Sequence, residues 1–318
     1  MKVSVIIPVF NEEESIPELY RELRAVFQRE PWEGEIIMVD DGSSDRSVAI
    51  IAELAKEDPR VRLVEFARNF GQTAAILAGI DHATGDVLIP MDADLQNDPE
   101  DIPRLLEKIE EGYDVVSGWR KNRQDRLWSR RVPSMIANRL ISRWTGVGLN
   151  DYGCTLKAYR AESLKGEQLY GEMHRFIPIY ASWRGGKITE LVVNHRARKF
   201  GESKYGIGRT FKVLLDLITV KFLSGYTTKP AYLFGGMGLI GIGLGAVLAL
   251  TAVIEWLTVN ASPHKLTVVV LATFFATNGV MLVCIGLLAE LVVRIYHGQG
   301  TRKTYVLAKE IHPEDAGS

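Results

Sequence analysis

Apolar and polar positions along the first 120 residues follow two alternating patterns. Short, almost wholly apolar runs are typical of strands that are buried on both faces. Between them, apolar residues recur every three or four positions, as on one face of a helix. The predicted strands are 3–10, 35–40, 61–67, 86–91 and 114–118, and the predicted helices are 13–30, 44–57, 71–83 and about 99–111. This alternation predicts parallel pairing in a three-layer α/β domain.

The last third of the chain has a different pattern. Residues 231–257 contain one charged residue, Glu255, and residues 266–289 contain none. Each run is longer than the roughly 20 apolar residues that cross a bilayer core. We therefore predict two transmembrane helices rather than a hairpin buried in a soluble core. Glycines that predict close helix packing lie in the first run at Gly235, Gly236, Gly238, Gly241, Gly243 and Gly245. Small residues in both runs also favour a homo-oligomer.

Residues 207–226, which precede these runs, are less apolar than the runs and more apolar than the α/β region. This segment is apolar, with charged side chains spaced along it, and predicts an amphipathic helix lying in the membrane interface. An ordinary amphipathic core helix is the alternative. The predicted organisation is an α/β domain, a juxtamembrane region, a transmembrane hairpin and a C-terminal tail, at 1–205, 206–230, 231–293 and 294–318.

Composition and charge narrow the class of protein. Apolar residues make up 47% and charged residues 24% of the chain, as in ordinary globular proteins. The net charge of −1 argues against a nucleic-acid-binding protein. Cys154 and Cys284 have no spacing typical of a zinc site. The first residues do not resemble a signal peptide, and basic residues flank the apolar pair, so we expect both termini and the α/β domain on the cytoplasmic face.

Polar residues collect where the predicted strands end, which is where open parallel sheets bind ligands. Among these ends, Asp92-Ala93-Asp94 follows a buried strand and is followed by Gln96. Two carboxylates beside a neutral amide suit a hard divalent ion, Mg²⁺ or Mn²⁺, which substrate phosphates would complete. A solvated loop or helix cap is the alternative interpretation of this short motif.

Several segments together resemble glycosyltransferase family 2 with the Rossmann-like GT-A fold. They are "VSVIIPVFNEEES", "IIMVDDGSSD", "FARNFGQTAAILAGID" and "MDADLQNDPE", in matching order and spacing. Downstream, "SGWRKN" and "RKFGESKYG" are similar to the polyprenyl-phosphate branch, which includes dolichol-phosphate mannose synthases and bacterial polyprenyl-phosphate glucosyltransferases. Within that branch, "DYGCTLKAYR" and "HRFIPIYASW" most resemble undecaprenyl-phosphate 4-deoxy-4-formamido-L-arabinose transferases. The resemblance covers nearly the whole chain.

The resemblance implies an enzyme of the bacterial inner membrane. It would transfer a sugar, with inversion, from a nucleoside-diphosphate sugar to a polyprenyl phosphate for envelope glycan or lipid A modification. UDP is the preferred carrier, and glucose, N-acetylhexosamine and mannose stay open as sugars. A processive polysaccharide synthase is an alternative, although it predicts a Q-x-x-R-W segment and further spans. A non-catalytic nucleotide-sugar sensor is the other alternative.

The same resemblance assigns roles to individual residues. The nucleotide pocket would be lined by Pro8, Phe10, Glu12, Val39 and Asp41. Ribose, metal and diphosphate would be held by Asp92, Ala93 and Asp94, with Gln96 nearby and the metal on Asp92, Asp94 and Gln96. The donor and acceptor phosphates would be bound by Arg120, Arg123, Arg196, Arg198, Ser203 and Lys204.

A general base is the open question in the predicted chemistry. Some relatives have an acidic residue where this chain has Cys154, and Asp151, three residues earlier, is the candidate replacement. A lipid phosphate is already an anion near neutral pH, however, and needs positioning rather than deprotonation. The predicted catalytic residues are therefore Asp92, Asp94 and Arg120, with Asp151 as the base if one exists.

Overall fold

The structure is a computed structural model that describes residues 1–121, 132–164, 173–183, 185–197, 199–200, 230–258, 265–298 and 307–311. The predicted interfacial helix at 207–226 lies outside the described residues. The chain divides into two compact units, an α/β unit and a pair of long helices, and each is described by itself. The boundaries of the four predicted regions stay predictions.

The α/β unit is built on one sheet, to which the described residues contribute eight strands in the order β7-β5-β6-β4-β1-β2-β3-β8. These strands are β1 (Lys2–Val9), β2 (Glu33–Asp40), β3 (Val61–Phe66), β4 (Val87–Pro90), β5 (Val115–Trp119), β6 (Lys157–Arg160), β7 (Ile188–Val192) and β8 (Leu307–Ile311). The five predicted strands are β1 to β5, and each lies within two residues of its predicted bounds.

The strand directions confirm the predicted parallel arrangement. β1 pairs in parallel with β2 and β4, and β2 pairs in parallel with β3. β6 is antiparallel to both β4 and β5, so β4 and β5 run in the same direction. The carboxyl ends of all five predicted strands therefore lie at one edge. The pattern did not predict β6, β7 or β8, which are short and carry charged residues.

Helices lie between the strands as predicted. Their bounds are α1 (Ile16–Arg29), α2 (Ser47–Glu57), α3 (Gln72–His82), α4 (Ile102–Glu110), α5 (Val132–Thr145) and α6 (Ile177–Trp183), and a 3-10 turn at Pro99–Asp101 precedes α4. The first four were predicted, whereas α5 and α6 were not. α1 shows why such segments fold, because the apolar residues at helical spacing are the ones buried against the sheet.

α3 packs unusually close to the sheet. Eight of its residues, from Thr73 to Ile80, are buried. Gly79 allows this approach, since a methyl group there would lie 2.1 Å from Cγ2 of Ile6 on β1. The contact holds α3 against β1, and the N-terminus of the helix lies beside Asp41 at the end of β2. That end of the helix carries Gln72 and Thr73, which belong to the site described below.

The second unit consists of two helices, α7 (Pro230–Thr258) and α8 (Lys265–Gly298). Both are long and apolar enough to cross a membrane, and only 11% of the most apolar window of each is buried. The burial contradicts a hairpin enclosed in a soluble core. α8 extends five residues beyond 293, the predicted end of the transmembrane hairpin.

The glycines of α7 divide into two groups. A methyl group on Gly238, Gly241 or Gly245 would lie within 3.3 Å of backbone atoms of α8, so close packing is confirmed at these positions. On Gly235, Gly236 or Gly243, such a group would meet no other atom of the described residues within 4 Å, apart from the helix's own backbone. A side chain at these three positions would therefore point away from α8, although the backbone N of Gly235 would lie 3.3 Å from a methyl group on Gly286 of α8.

Candidate active site

The loop after β1 is held by the loop after β2. Asn11 adopts the left-handed conformation, with φ of 54°, which asparagine tolerates better than most residues. Its backbone N–H donates to Ser43 Oγ at 2.9 Å, and the N–H of Ser44 donates to its Oδ1 at 2.8 Å. The predicted pocket residues Pro8, Phe10 and Glu12 are all half-buried along this stretch. The two loops therefore present one fixed surface at the sheet edge.

Asp41 joins the end of β2 to the start of α3. Its Oδ1 accepts from the N–H of Phe70 at 2.6 Å, and its Oδ2 accepts from the N–H of Gly71 at 3.0 Å. Burial raises the pKa of the Asp41 carboxyl above its ordinary value, and these backbone hydrogen bonds offset the effect only in part. Val39, another predicted pocket residue, is fully buried in the core with its side chain against β3 and α3. Its backbone is also enclosed, between β1 and β3, so the structure does not place Val39 at an open pocket surface.

Asp92 is oriented from two sides. Gln72, at the start of α3, donates from Nε2 to Oδ1 of Asp92 at 2.7 Å. Thr155, on the loop before β6, donates from Oγ1 to Oδ2 at 2.7 Å. Each oxygen accepts one of these hydrogen bonds and has a further lone pair for a ligand. The sequence pattern identified Asp92 but neither of these partners.

The turn after Asp92 is strained. Leu95 has φ of 61°, in the left-handed region that a leucine rarely occupies, at a cost of about 1–3 kcal/mol. Ala93 and Leu95 are buried, and Asp94 Oδ1 accepts from the N–H of Gln96 at 3.1 Å. The strain turns the chain sharply directly after the second carboxylate, and Gln96 is half-buried beside it.

The donor set around Asp92 and Asp94 fits a divalent ion that a ligand completes. In the described part of the chain, no three His, Cys, Asp or Glu side chains gather closely enough to hold a metal alone. Mg²⁺ and Mn²⁺ characteristically use one or two carboxylates together with water and substrate phosphates. Asp92, Asp94 and Gln96 have the chemistry of such a partial set, and their role as metal ligands stays a prediction.

Arg120 and Asp151 form a bidentate ion pair. Nε of Arg120 lies 2.7 Å from Oδ2 of Asp151, and Nη2 lies 3.0 Å from Oδ1. Both side chains are buried, at 11% and 4% exposure. Burial is the largest single influence on the pKa of the Arg120 guanidinium and lowers it, but the charge and hydrogen bonds of Asp151, together with the charge of Asp92 and the influence of Cys154, outweigh burial and raise the pKa above its usual range. Asp151 accordingly holds Arg120 in place, and both its oxygens serve that pair.

The loop that carries Asp151 is fixed by a buried lysine that the sequence analysis missed. Lys157, on β6, is 2% exposed and donates from Nζ to the carbonyl of Tyr152 at 3.2 Å and to the carbonyl of Cys154. Burial lowers the pKa of Lys157 to about 8. Burial also raises the pKa of the Cys154 thiol to about 11, so the thiol is neutral and is no substitute for an acidic base.

A second missed feature is the 3-10 turn Met173–Phe176. His174 is buried, and a hydrogen bond of 2.7 Å joins its Nδ1 to Oγ1 of Thr73 at the start of α3. The next residue, Arg175, extends towards Gly153, where a methyl group would lie 3.9 Å from its Nη1. The sequence signal for these residues is the "HRF" segment, which begins one of the stretches that carry the family resemblance.

The predicted acceptor-phosphate residues fall into two groups. Arg196 is described, and its guanidinium forms ion pairs with Glu22 at 2.8 Å and Asp98 at 2.6 Å. Its backbone N–H donates to the carbonyl of Gln96 at 2.9 Å, so this segment runs beside the Asp92–Gln96 turn. The side chain is already engaged by two carboxylates, and its phosphate role stays a prediction. The other predicted residues, Arg123, Arg198, Ser203 and Lys204, lie outside the described residues.

The fold and the site define the class of protein. An aspartate pair at the carboxyl edge of a predominantly parallel sheet, beside a buried arginine, is the arrangement expected of a GT-A enzyme that uses a nucleotide sugar. Residues 4–166 match the sequence profile of glycosyl transferase family 2, and the chain belongs to this family. The predicted family and GT-A fold are confirmed.

Relatives and solved structures agree with this assignment. The chain is 42% identical over 319 residues to dodecaprenyl-phosphate galacturonate synthase of Rhizobium johnstonii, and the match covers 96% of this chain and 92% of that protein. It is also similar to glucosyl-3-phosphoglycerate synthase of Mycobacterium tuberculosis in complex with Mn²⁺, UDP and glucosyl-3-phosphoglycerate. That match has a TM-score of 0.55, is 19% identical, and covers 70% of this chain and 79% of the other. At this identity, the structural likeness establishes the fold alone.

Proposed function

We propose that this protein transfers galacturonate from a UDP-linked donor to the phosphate of a polyprenyl lipid at a membrane. The observation that carries the proposal is the combination, in one chain, of the Asp92–Asp94 pair beside Arg120 with two helices of membrane-spanning length. Transfer to a lipid phosphate uses both features, because the acceptor head group is presented at a bilayer surface.

The choice of sugar and nucleotide rests on the relatives. Galacturonate is the sugar in the name of the 42% identical relative, which is aligned over nearly the whole length of both proteins. For this reason we propose galacturonate in preference to glucose, N-acetylhexosamine and mannose, which the sequence left open. UDP is the nucleotide bound by the structural neighbour, together with Mn²⁺. Half-buried Phe10 and Glu12 and the carboxylate of Asp41 would contact the nucleoside.

The proposed mechanism follows from the position at which negative charge develops in the transition state. The bond between the sugar and the diphosphate breaks, and negative charge grows on the leaving UDP. Arg120, held rigidly by Asp151, stabilises this charge more in the transition state than in the ground state. A divalent ion held by Asp92, Asp94 and Gln96 would supply further charge stabilisation at the diphosphate. The burial of Arg120 strengthens the interaction because little water screens it.

The acceptor needs no proton removed, since a lipid phosphate is anionic near neutral pH. Its oxygen attacks the anomeric carbon from the side opposite the diphosphate, which inverts the configuration. Asp151 is then a positioning residue for Arg120 rather than a general base, because both of its oxygens accept from the guanidinium.

The membrane arrangement is part of the proposal. α7 and α8 would cross the inner membrane of a bacterium as a hairpin, with the α/β unit on the cytoplasmic face. β8 supports this, since it follows α8 in the chain and pairs with β3 of the α/β unit. Segments that share a sheet lie on the same side of a membrane, which requires an even number of crossings between them. Self-association into a homo-oligomer remains a prediction.

A donor screen tests the function. The purified full-length protein, supplied with a polyprenyl phosphate and Mn²⁺, is assayed with radiolabelled UDP-galacturonate, UDP-galactose, UDP-glucose, UDP-N-acetylglucosamine and GDP-mannose. We expect a lipid-linked product with UDP-galacturonate, and we expect Asp94→Asn and removal of the metal by EDTA each to abolish it. Absence of a lipid-linked product with every donor would contradict the proposed activity, and a product from another donor alone would contradict the proposed sugar.

A further inference from the structure

Glu190, on β7, holds the segment that carries Asp151. Its Oε1 accepts from the backbone N–H of Asn150 at 2.6 Å and from the backbone N–H of Asp151 at 3.2 Å. Its Oε2 accepts from Nδ2 of Asn150 at 2.7 Å. Hydrogen bonds to an ionised acceptor are stronger than those between neutral groups. The carboxylate of Glu190 therefore defines the course of the backbone at Asp151, which lies 39 positions earlier in the chain.

The strand register places Glu190 in a row of three side chains. Ser117, on β5, pairs with Glu190 on one side and with Lys157, on β6, on the other. Residues paired in this way project from the same face of a sheet. Glu190 accepts from N–H groups of the loop at residues 150–155, and Lys157 donates to two of its carbonyl groups. One face of the sheet thus fastens the loop with an anion near its start and a cation near its end.

Asp151 transmits this constraint to Arg120, which directly follows β5. Nε and Nη2 of Arg120 donate to the two carboxylate oxygens of Asp151, and the backbone N–H of Arg120 lies 3.3 Å from Oδ2. A shift of the backbone at Asp151 would move both oxygens, and the guanidinium would move with them. The position of Arg120 therefore depends on Glu190 through Asp151.

The electrostatics of Glu190 favour a role in hydrogen bonding. Burial raises the pKa of its carboxyl above the ordinary value, hydrogen bonds from Asn150 and Asp151 oppose this, and the charge of Asp151 adds to the increase. The two carboxylates repel each other, so the negative charge of Glu190 is unfavourable beside Asp151. The hydrogen bonds to the backbone, rather than the charge, explain why an oxygen acceptor lies here.

We propose that Glu190 is a positioning residue of the transfer reaction, which holds Asp151 so that Arg120 faces the leaving diphosphate. This inference rests on the proposed role of Arg120 and adds a residue that the family resemblance did not assign to the site. Precise placement matters for such a group, because a displacement of about 1 Å near the reacting atoms can cost about 100-fold in rate.

The test removes the acceptor oxygens of Glu190 in the full-length protein and keeps the side-chain volume. For Glu190→Met, we expect kcat to fall about 10- to 100-fold. The KM for the donor identified in the screen above should change less than about threefold, because Arg120 acts mainly in the transition state. Glu190→Gln keeps an oxygen for the backbone N–H groups and should retain most of the activity. Glu190→Asp, with its carboxylate withdrawn by one methylene, should show a smaller loss and carries the test if Glu190→Met does not fold.

Coupling to Arg120 separates positioning from a merely structural role. In an Arg120→Met background, Glu190→Met should change kcat by less than about threefold, because the residue through which it acts is absent. Hydrogen exchange, followed by mass spectrometry, provides a readout without turnover. Peptides that cover residues 149–152 should exchange faster in Glu190→Met than in the wild-type protein, because two of their N–H groups lose a common acceptor.

Asp114→Leu is the matched control. Oδ2 of Asp114 accepts from the N–H of Lys187 at 2.8 Å, so this carboxylate fastens the chain just before β7 as Glu190 fastens the site loop. Asp114→Leu should change neither kcat nor the exchange of the site-loop peptides. Unfolding temperatures of all variants report any general loss of stability.

Other outcomes would overturn the inference in recognisable ways. Equal losses in the wild-type and Arg120→Met backgrounds would assign Glu190 to the stability of the fold. A loss in Glu190→Gln as large as that in Glu190→Met would assign an electrostatic role to the carboxylate. An unchanged kcat in Glu190→Met, with a large loss in Arg120→Met, would contradict this inference and leave the proposed mechanism intact. An unchanged kcat in Arg120→Met would overturn the proposed role of Arg120 and this inference with it.

Discussion

The hydroxyl of Thr155 lies 2.7 Å from Oδ2 of Asp92, and it joins two loops that are 63 positions apart in the chain. Thr155 belongs to the loop that also carries Asp151, the partner of Arg120. The carboxylate proposed to hold the metal and the arginine proposed to stabilise the leaving group are therefore set by one loop. Lys157 anchors that loop through two of its carbonyl groups.

Replacing Thr155 by valine tests this coupling, because valine keeps the shape and removes the hydroxyl. We expect kcat/KM to fall about tenfold, as for one lost hydrogen bond to a charged group. The Mn²⁺ concentration at half-maximal activity should rise, since Asp92 is less well oriented. Thr251→Val, which removes a hydroxyl bonded within α7, is the matched control. An unchanged metal requirement in Thr155→Val would show that the hydroxyl does not orient Asp92.

Kinetics of the Asp151→Asn variant distinguish a positioning role of Asp151 from a role in proton transfer. If it positions Arg120, Asp151→Asn should lower kcat about 10- to 100-fold, as for a partly lost charge-assisted pair, and leave the shape of the pH–rate profile unchanged. The double variant Arg120→Met/Asp151→Asn should be no slower than Arg120→Met, because the two residues act as a unit. Steady-state kinetics between pH 6 and pH 9 provide the measurement. Loss of a titrating limb in Asp151→Asn, or additive effects in the double variant, would instead support a general base.

The sequence was most informative where apolar runs set the structure. β1 to β5 and α1 to α4 were predicted because each buries a regular apolar face, and the common strand direction followed from their alternation. The location of the site at the carboxyl edge followed from the same pattern. β8 could not be predicted, since "LAKEI" carries no such pattern and pairs with β3, more than 240 positions away.

The hydrogen-bond and ion-pair partners of the site residues could not be predicted from the sequence. Arg120 and Asp151 were both identified, but their pairing depends on how two loops meet. Arg196 was predicted to bind a phosphate from the family resemblance, and only the structure shows that its guanidinium contacts Glu22, which lies 174 positions earlier. Lys157 is a lysine in a strand, and only the structure places its ammonium against two carbonyl groups.

The buried Lys157 predicts a dependence of stability on pH. Its pKa in the folded protein is lowered from 10.5 to about 8. Between these two values the unfolded chain binds more protons than the folded chain, so the contribution of Lys157 to stability increases as the pH rises through this window. Relative to Lys157→Met, the wild-type protein should gain on the order of 3 kcal/mol from pH 8 to pH 10.5.

The comparison with Lys157→Met is needed because Cys154 changes the stability with pH in the direction opposite to Lys157. The raised pKa of its thiol removes stability at high pH, but Cys154 is present in both proteins and its effect largely cancels in the difference. Chemical unfolding of the detergent-solubilised proteins, followed by tryptophan fluorescence at several pH values, measures this difference. A difference that is flat across the window would show that Lys157 is not desolvated in the folded protein.

The contact between α7 and α8 gives a last prediction, with a control in the same helix. A side chain at Gly245 would begin 2.8 Å from the backbone N of Ala276, whereas one at Gly243 would meet no atom of the described residues beyond its own helix within 4 Å. Backbone atoms cannot move aside without separating the helices, and close packing is the main attraction between helices in lipid. Gly245→Leu should therefore lower the unfolding temperature in detergent and the yield of membrane-inserted protein, while Gly243→Leu should change neither. Equal effects of the two substitutions would contradict the helix contact described here, and an altered oligomeric state in Gly243→Leu alone would place Gly243 at an interface between copies of the chain.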